Sequence, residues 1–247
     1  MKIWKIILIS TGVTLLTGYL IFALFFLIPS RDETICKGIQ VEILDADKKQ
    51  FVSPKEITQL INSNFRHITG EKITNIDLAK VEEIVLNHPM VKTAACYKIQ
   101  NGNLKVDITQ REPVFKIISG EQSYYIDIDR KMMPTSVYYS AYVPVVTGNV
   151  NQKFIKDKLF DFIVFLQNDK FLSSQIEQIN ICPALEIELV PRIGQHIIFL
   201  GTLDNYKEKL ERLKTFYEKG LNETGWNHYT SISLKYKDQV VCRKKQK

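Results

Sequence analysis

The chain is poor in the groups that catalysis and cofactor binding need. Its four histidines, His67, His88, His196 and His228, are scattered, with no HxxxH pair and no acidic partner at metal-ligand spacing. The 11 glycines are dispersed, so no phosphate-cradling loop exists, and Thr147-Gly148 and Leu200-Gly201 read as strand ends. Serines are common, yet none lies in GxSxG or SxxK. Asp127 and Asp129 introduce a turn before Arg130-Lys131, which explains them without acid–base work. Cys36, Cys96, Cys182 and Cys242 are 60, 86 and 60 residues apart with no CxxC. Two disulfides in any of three pairings, or buried thiols, both fit that spacing, and the redox state stays open. No internal repeat or low-complexity stretch appears. These gaps leave no enzyme, cofactor, metal or small-molecule substrate to nominate.

Charge excludes a further class. The net charge is +6, but Arg243, Lys244, Lys245 and Lys247 supply four of those positives in the last five residues. That is a solvated basic tail, without the module that a nucleic-acid partner requires.

What the chain does have is one long uncharged apolar run, Ile6 to Ile28. Its 23 residues make a helix of roughly 34 Å, enough to cross a hydrocarbon core of about 30 Å. Ile6, Leu15, Leu20, Phe25 and Ile28 mark its length as a membrane anchor. It closes Phe25-Phe26-Leu27-Ile28-Pro29 with no small-residue cleavage site, so an uncleaved anchor is expected rather than a signal peptide. Lys2 and Lys5 in front, against Arg31 alone with Asp32 and Glu33 behind, put residues 1–5 in the cytoplasm and the bulk of the chain outside it. With 45% apolar and 24% charged residues, the remainder can bury a core.

The first folded unit is expected over residues 36–112. Ile39, Val41 and Ile43 alternate in a strand, Gly38–Leu44. Ser53-Pro54-Lys55-Glu56 is a capping box with Pro in the first turn, opening a helix whose inner face is Ile57, Leu60, Ile61 and Phe65. Asp77 caps a second helix, with Leu78, Val81, Ile84 and Val85, that must stop before Pro89. Strands Val91–Gln100 and Asn103–Gln110 follow, joined by Asn101-Gly102 as a type I′ turn. The order βααββ, with two helices on one face of three strands, resembles a POTRA (polypeptide-transport-associated) domain.

The second unit, residues 113–242, is β-rich with two helices, which makes the whole chain α+β. Phe115–Ile118, Tyr124–Ile128, Ile176–Ile181, Leu185–Val190, Ile197–Leu200, Ser231–Tyr236 and Gln239–Cys242 read as strands. Asn151–Gln167 is one helix; Asp204 caps the other, with Tyr206, Leu210, Leu213 and Tyr217 inward and Gly220 as its C′ residue. Arg192-Ile193-Gly194 and Lys237-Asp238 turn hairpins. The two units are expected to pack end to end. A last strand can lie at a sheet edge, where residues 243–247 either guard it by charge or guide a partner strand onto it.

Taken in order, these stretches resemble the FtsQ/DivIB family of bacterial cell-division proteins over essentially the whole chain. His88-Pro89-Met90-Val91 is similar to the family's Pro–aromatic–Val turn, and Arg111-Glu112-Pro113 falls at its interdomain junction. Tyr125-Ile126-Asp127 with Met132-Met133-Pro134, and Val143-Pro144-Val145-Val146-Thr147-Gly148, resemble the opening β-domain hairpin and a Leu-Pro-x-x-x-Gly element. Phe199-Leu200-Gly201, then Ser233-Leu234-Lys235-Tyr236 with Gln239-Val240-Val241, resemble a strand–Leu-Gly–helix step and a closing Asp-Leu-Arg-Tyr hairpin. Met90 stands where the family has an aromatic residue and Arg130 where it has a turn glycine.

The resemblance implies a non-enzymatic scaffold of the inner membrane at the septum, with its bulk in the periplasm. Its partners would be FtsB, FtsL and other divisome membrane proteins, and its role the regulation of septal peptidoglycan synthesis. Tyr236 matches the family tyrosine at the partner-binding edge. Gln239, Val240, Val241 and Cys242 are the backbone expected to take an added strand, so Val240→Pro is expected to abolish binding. A POTRA-type chaperone or transport adaptor for extended polypeptides is the alternative; a tethered cell-wall hydrolase lacks a catalytic group.

Overall fold

The computed structural model describes residues 2–26, 35–65, 68–149 and 151–245. A helix, α1 (Lys2–Phe26), comes first. Its side chains are described without a break from Ser10 to Leu24, with Leu15 and Leu20 exposed. Its threonines donate back to carbonyls one turn earlier, as Thr14 Oγ1 does to Ser10 O (2.9 Å). The side chains of Ile6 and Phe25, and all of Leu27 and Ile28, lie outside the described residues. Among the described residues, no helix is both long and apolar enough to cross a membrane.

The small unit contains β1 (Gly38–Ile43), α2 (Pro54–Asn64), α3 (Leu78–Leu86), β2 (Val91–Lys98) and β3 (Asn103–Gln110). β3 is central, parallel to β1 and antiparallel to β2. Ser53 Oγ accepts from the Glu56 amide (3.2 Å), which starts α2. The Glu56 carboxylate does not close a box; it turns to His88 Nε2 (3.3 Å). Asp77 caps α3 through the Lys80 amide (3.2 Å). Ile57, Ile61, Val81 and Val85 pack on Leu104, Val106 and Ile108, all fully buried.

The β2–β3 turn differs from the expected type I′. Only Gly102 is left-handed (φ +86°), and Gly102 N donates to Ile99 O (3.0 Å). This is a type I turn followed by a glycine bulge, a three-residue loop. Asn101 instead uses its side chain, accepting from the Asn103 amide (2.9 Å).

The large unit is a nine-stranded sheet in the order β12-β11-β10-β9-β8-β7-β4-β5-β6. Its strands are β4 (Pro113–Ser119), β5 (Gln122–Asp127), β6 (Met132–Pro134), β7 (Val145–Gly148), β8 (Ile176–Ile181), β9 (Ile187–Pro191), β10 (Ile197–Gly201), β11 (Tyr229–Ser233) and β12 (Val241–Lys244). Two helical connections cross it. α4 runs through residues 152–168 with a π-turn at Ile155–Leu159, and α6 through 206–224 with another at Tyr217–Leu221. β7 and β8 are parallel, as are β10 and β11. Parallel neighbours need long crossovers, and these helices supply them. Their inner faces, Ile155, Leu159, Phe162, Ile163, Leu210, Leu213 and Tyr217, are buried against the sheet.

Several expectations are corrected. β6 and β7 were not marked by alternation, since β6 is three residues long and β7 four. A short helix α5 (Lys170–Gln175), capped by Asp169, was also not foreseen. The α6 cap is Asn205, left-handed at φ +52°, while Asp204 accepts from Thr202 Oγ1 (3.0 Å). Gly220 lies inside the π-turn rather than ending the helix; the chain leaves it at Gly225 (φ +91°). Gly148 is required where it stands: an added Cβ would meet the Ile181 carbonyl at 2.2 Å. Arg130, in place of a turn glycine, takes φ +59°. Its guanidinium lies over the Phe160 ring (4.4 Å) and pairs with Asp161 (2.6 Å), which holds the unfavourable backbone.

The two units share a core. Tyr125 and Met133 of the large sheet are buried among the small unit's side chains, and Phe51 meets Tyr125 and Tyr139 edge-on (5.9 and 4.7 Å). Arg111 ties the seam. Its Nε donates to buried Asp127 (2.7 Å), Nη1 to Pro89 O (2.8 Å) and Nη2 to Met132 O (2.9 Å).

Candidate partner-binding edge

β11 and β12 form the closing hairpin, with Ser233 opposite Val241 and Ile232 opposite Cys242. Both strands sit differently from expectation. Residues 234–240 are a loop, because Leu234 is drawn into the core and its amide donates to Phe199 O (2.8 Å). Asp238 is left-handed at φ +57°. The pairing then runs on into the basic residues, with Lys245 N donating to His228 O (3.0 Å).

Tyr236 therefore lies in the loop, 57% exposed, while Gln239 and Val240 precede β12. Val241 and Cys242 are in the strand, Val241 45% exposed and Cys242 half-buried against the core. The segment Gln239–Cys242 is continuous, but Val240 is no ladder donor of β12, so Val240→Pro tests the approach to the strand rather than the strand. β12 is the outermost strand of the sheet; among the described residues nothing pairs with its outer side. All four cysteines are free thiols, and burial pushes the Cys242 thiol upward.

Side chains that sequence reasoning did not nominate shape this edge. Arg212 Nη2 donates to the carbonyls of Leu234 and Tyr236 (3.3 Å each), holding the loop open. Lys235 pairs with Glu186 and runs across Gly201, where a Cβ would meet its chain at 3.0 Å; Gly201 also has φ +76°. Between α6 and the start of β12 is a shallow groove of about 550 Å³, lined by Glu211, Arg212, Thr215, Phe216, Lys219, Gly220 and Val240. Phe216 was the available signal, an aromatic residue three positions beyond Leu213, at the margin of the inward stripe and half-buried against the core.

Under the edge, His196 Nε2 meets the Tyr217 hydroxyl at 2.6 Å, both buried. Burial lowers the imidazole pKa and raises that of the phenol. Trp226 and Phe171 close around the Tyr217 ring (5.1 and 6.0 Å). Elsewhere His88 is spent on Glu56, and His67 lies outside the described residues.

Family comparison agrees with this architecture. Residues 34–109 match a POTRA-like domain. Residues 112–243 match the domain described as FtsQ/DivIB, C-terminal related. No curated protein matches the chain. Both families consist generally of non-catalytic scaffolds, and FtsQ/DivIB proteins are septal and membrane-anchored. With more than half of its length in that second match, continuous with a POTRA-like unit, the chain belongs to the FtsQ/DivIB family of cell-division proteins.

Proposed function

We propose that this protein is a membrane-tethered, non-enzymatic division scaffold that recruits FtsB and FtsL and regulates septal peptidoglycan synthesis. One observation carries the reading: the last strand is the outer edge of a nine-stranded sheet and borders an apolar groove. An extended partner segment gains main-chain bonds at such an edge and specificity from the pocket beside it. Phe216 and Val240 offer an apolar seat, while Arg243, Lys244 and Lys245 favour an acidic segment. Tyr236, Gln239, Val240, Val241 and Cys242 are the proposed contact stretch.

The anchor is α1. Its 25 helical residues span about 37 Å, and the sequence is uncharged from Ile6 through Ile28. Leu15 and Leu20 are exposed rather than packed on either folded unit, which suits a lipid environment. The N-terminus would face the cytoplasm, with units 36–112 and 113–242 in the periplasm beside the inner membrane.

The test is binding of the full chain in nanodiscs to the cognate FtsB extracytoplasmic segment, with and without residues 239–247. Binding lost on truncation, with the fold intact, is expected. No binding by the full chain would favour the extended-polypeptide adaptor instead. Binding that survived truncation would move the site off β12.

A further inference from the structure

A sheet edge left unpaired must be guarded or partnered. The two sheets have four edges, β6 and β12 in the large one and β1 and β2 in the small one. Three carry a recognisable guard. β6 ends at Pro134, and its Met132 carbonyl is taken by Arg111. β2 carries Lys92 and Lys98, and its Cys96 amide donates to Glu82 Oε1 (2.7 Å). β12 carries Arg243 and Lys244. β1, Gly-Ile-Gln-Val-Glu-Ile, has no Lys, Arg or Pro. Its one charge, Glu42, is already paired with Lys105 of β3 (2.8 Å).

β1 is also under-covered. Leu104, Val106 and Ile108 on β3 are fully buried, whereas Ile39, Val41 and Ile43 are only partly buried at the margin of the same core. Alongside runs an open groove of about 550 Å³ lined by Val41, Ile43, Val52, Pro54 and Tyr138 among others. Tyr138 comes from the β6–β7 loop, which is firmly held. In that loop Tyr139 donates to Lys48 O (3.2 Å), and Ser140 Oγ meets the Tyr125 hydroxyl (3.2 Å). On this fixed support Tyr138 is 81% exposed and its neighbour Val137 91%.

We propose that β1 and Tyr138 form a second strand-addition site, distinct from β12. Its occupant is an extended juxtamembrane segment of another membrane-anchored protein, with alternating apolar and polar residues. The open backbone requires an extended chain, and the groove takes its apolar side chains. Covalent reach selects the source. Only residues 27–34 separate α1 from Ile35, so Ile35 stands no more than roughly 32 Å from Phe26. β1 begins three residues later. With α1 in a bilayer, the groove is confined to a layer near the membrane surface, and the inference rests on that anchoring.

The experiment uses the full chain in nanodiscs and a probe peptide copying residues 103–110, tethered to lipid by a flexible linker or left free. Amide exchange is read at Ile39, Val41 and Ile43, whose N–H groups face away from β3, with β2 and β12 as internal controls. The tethered peptide is expected to slow exchange at β1 about tenfold, with much less effect from the free peptide at equal concentration. Val41→Pro, which removes an outward donor and leaves the β3 ladder bonds in place, should abolish the protection, and Tyr138→Ala should reduce it severalfold. Tyr138 is exposed, so its variant keeps the test valid even if Val41→Pro unfolds the small sheet. Protection that is absent, confined to β12, or indifferent to Tyr138→Ala would overturn the site. Equal protection by free and tethered peptide would overturn the juxtamembrane occupant. Failure of the chain to insert is seen before any peptide is added; it would sink the anchor and that occupant together, while the free peptide still reads the edge itself.

Discussion

The two ends of the large sheet are built for opposite purposes. At the β6 end the strand is joined to the neighbouring unit: Arg111 takes the Met132 carbonyl, and Met133 and Tyr125 complete the small unit's core. At the β12 end the strand stands free, with only Arg243 and Lys244 to discourage casual pairing. One edge has become an internal weld and the other a presented surface. The difference lies in what surrounds the backbone, because the strands themselves are similarly short.

The weld should be the most sensitive point. Arg111→Ala leaves buried Asp127 without its cation, and stability in urea is expected to fall by about 3–5 kcal/mol. Partner binding by the fraction still folded should be nearly unchanged. If that variant lost partner binding instead while stability held, the division of labour between the two edges would be wrong.

Phe216→Ala reverses the pattern. It removes the aromatic wall of the groove and should weaken partner binding by about tenfold, or ~1.4 kcal/mol. Its effect on unfolding should be smaller than that of Arg111→Ala. Calorimetry of partner titrations beside urea curves would separate the two.

A smaller and pH-dependent effect is expected beneath the open edge. His196 has its pKa lowered by burial from an ordinary value near 6.5. The unfolded chain therefore binds a proton that the folded chain resists. Stability from this group is fully present above about pH 6.5 and is lost as pH falls toward the lowered folded value. Urea midpoints between pH 7.5 and 5.5 should decline, and His196→Gln should flatten that slope. An unchanged slope would remove His196 from the account.

The smallest change tests how tight the weld is. Ser53→Ala removes the α2 cap at a cost of about 1 kcal/mol. If the shared core couples the units, probes in the small and large units should shift together. Separate shifts would show that the seam is a contact and not a common core.

Legibility in the sequence followed range. The caps at Ser53 and Asp77 were readable because each needs only a side chain and an amide three residues on. The α6 cap was misread. Asp204 has the right chemistry, but Asn205 turns left-handed and moves the helix start past it. At Asn101-Gly102 the dipeptide marked a turn, and the side-chain bond of Asn101 chose a different type. β6 and β7 are too short for alternation to register; they exist because neighbours complete their ladders. The groove at Phe216 and the pairing of Arg212 with the terminal loop join residues about 20 apart or more, and no local pattern encodes them.

By itself the sequence determined the apolar N-terminal run, the alternation that makes two folded units, most helix starts, and the absence of catalytic groupings. These depend on periodicity, on caps within one turn, and on residue chemistry. Only the tertiary structure decided that Arg111 and Asp127 bind the units into one core, that β12 is an outer strand whose ladder runs into the basic residues, and that β1 is left unguarded. Those outcomes depend on which backbone groups find partners at long range, and hydrogen bonding between distant strands leaves no mark on the spacing of side chains along the chain.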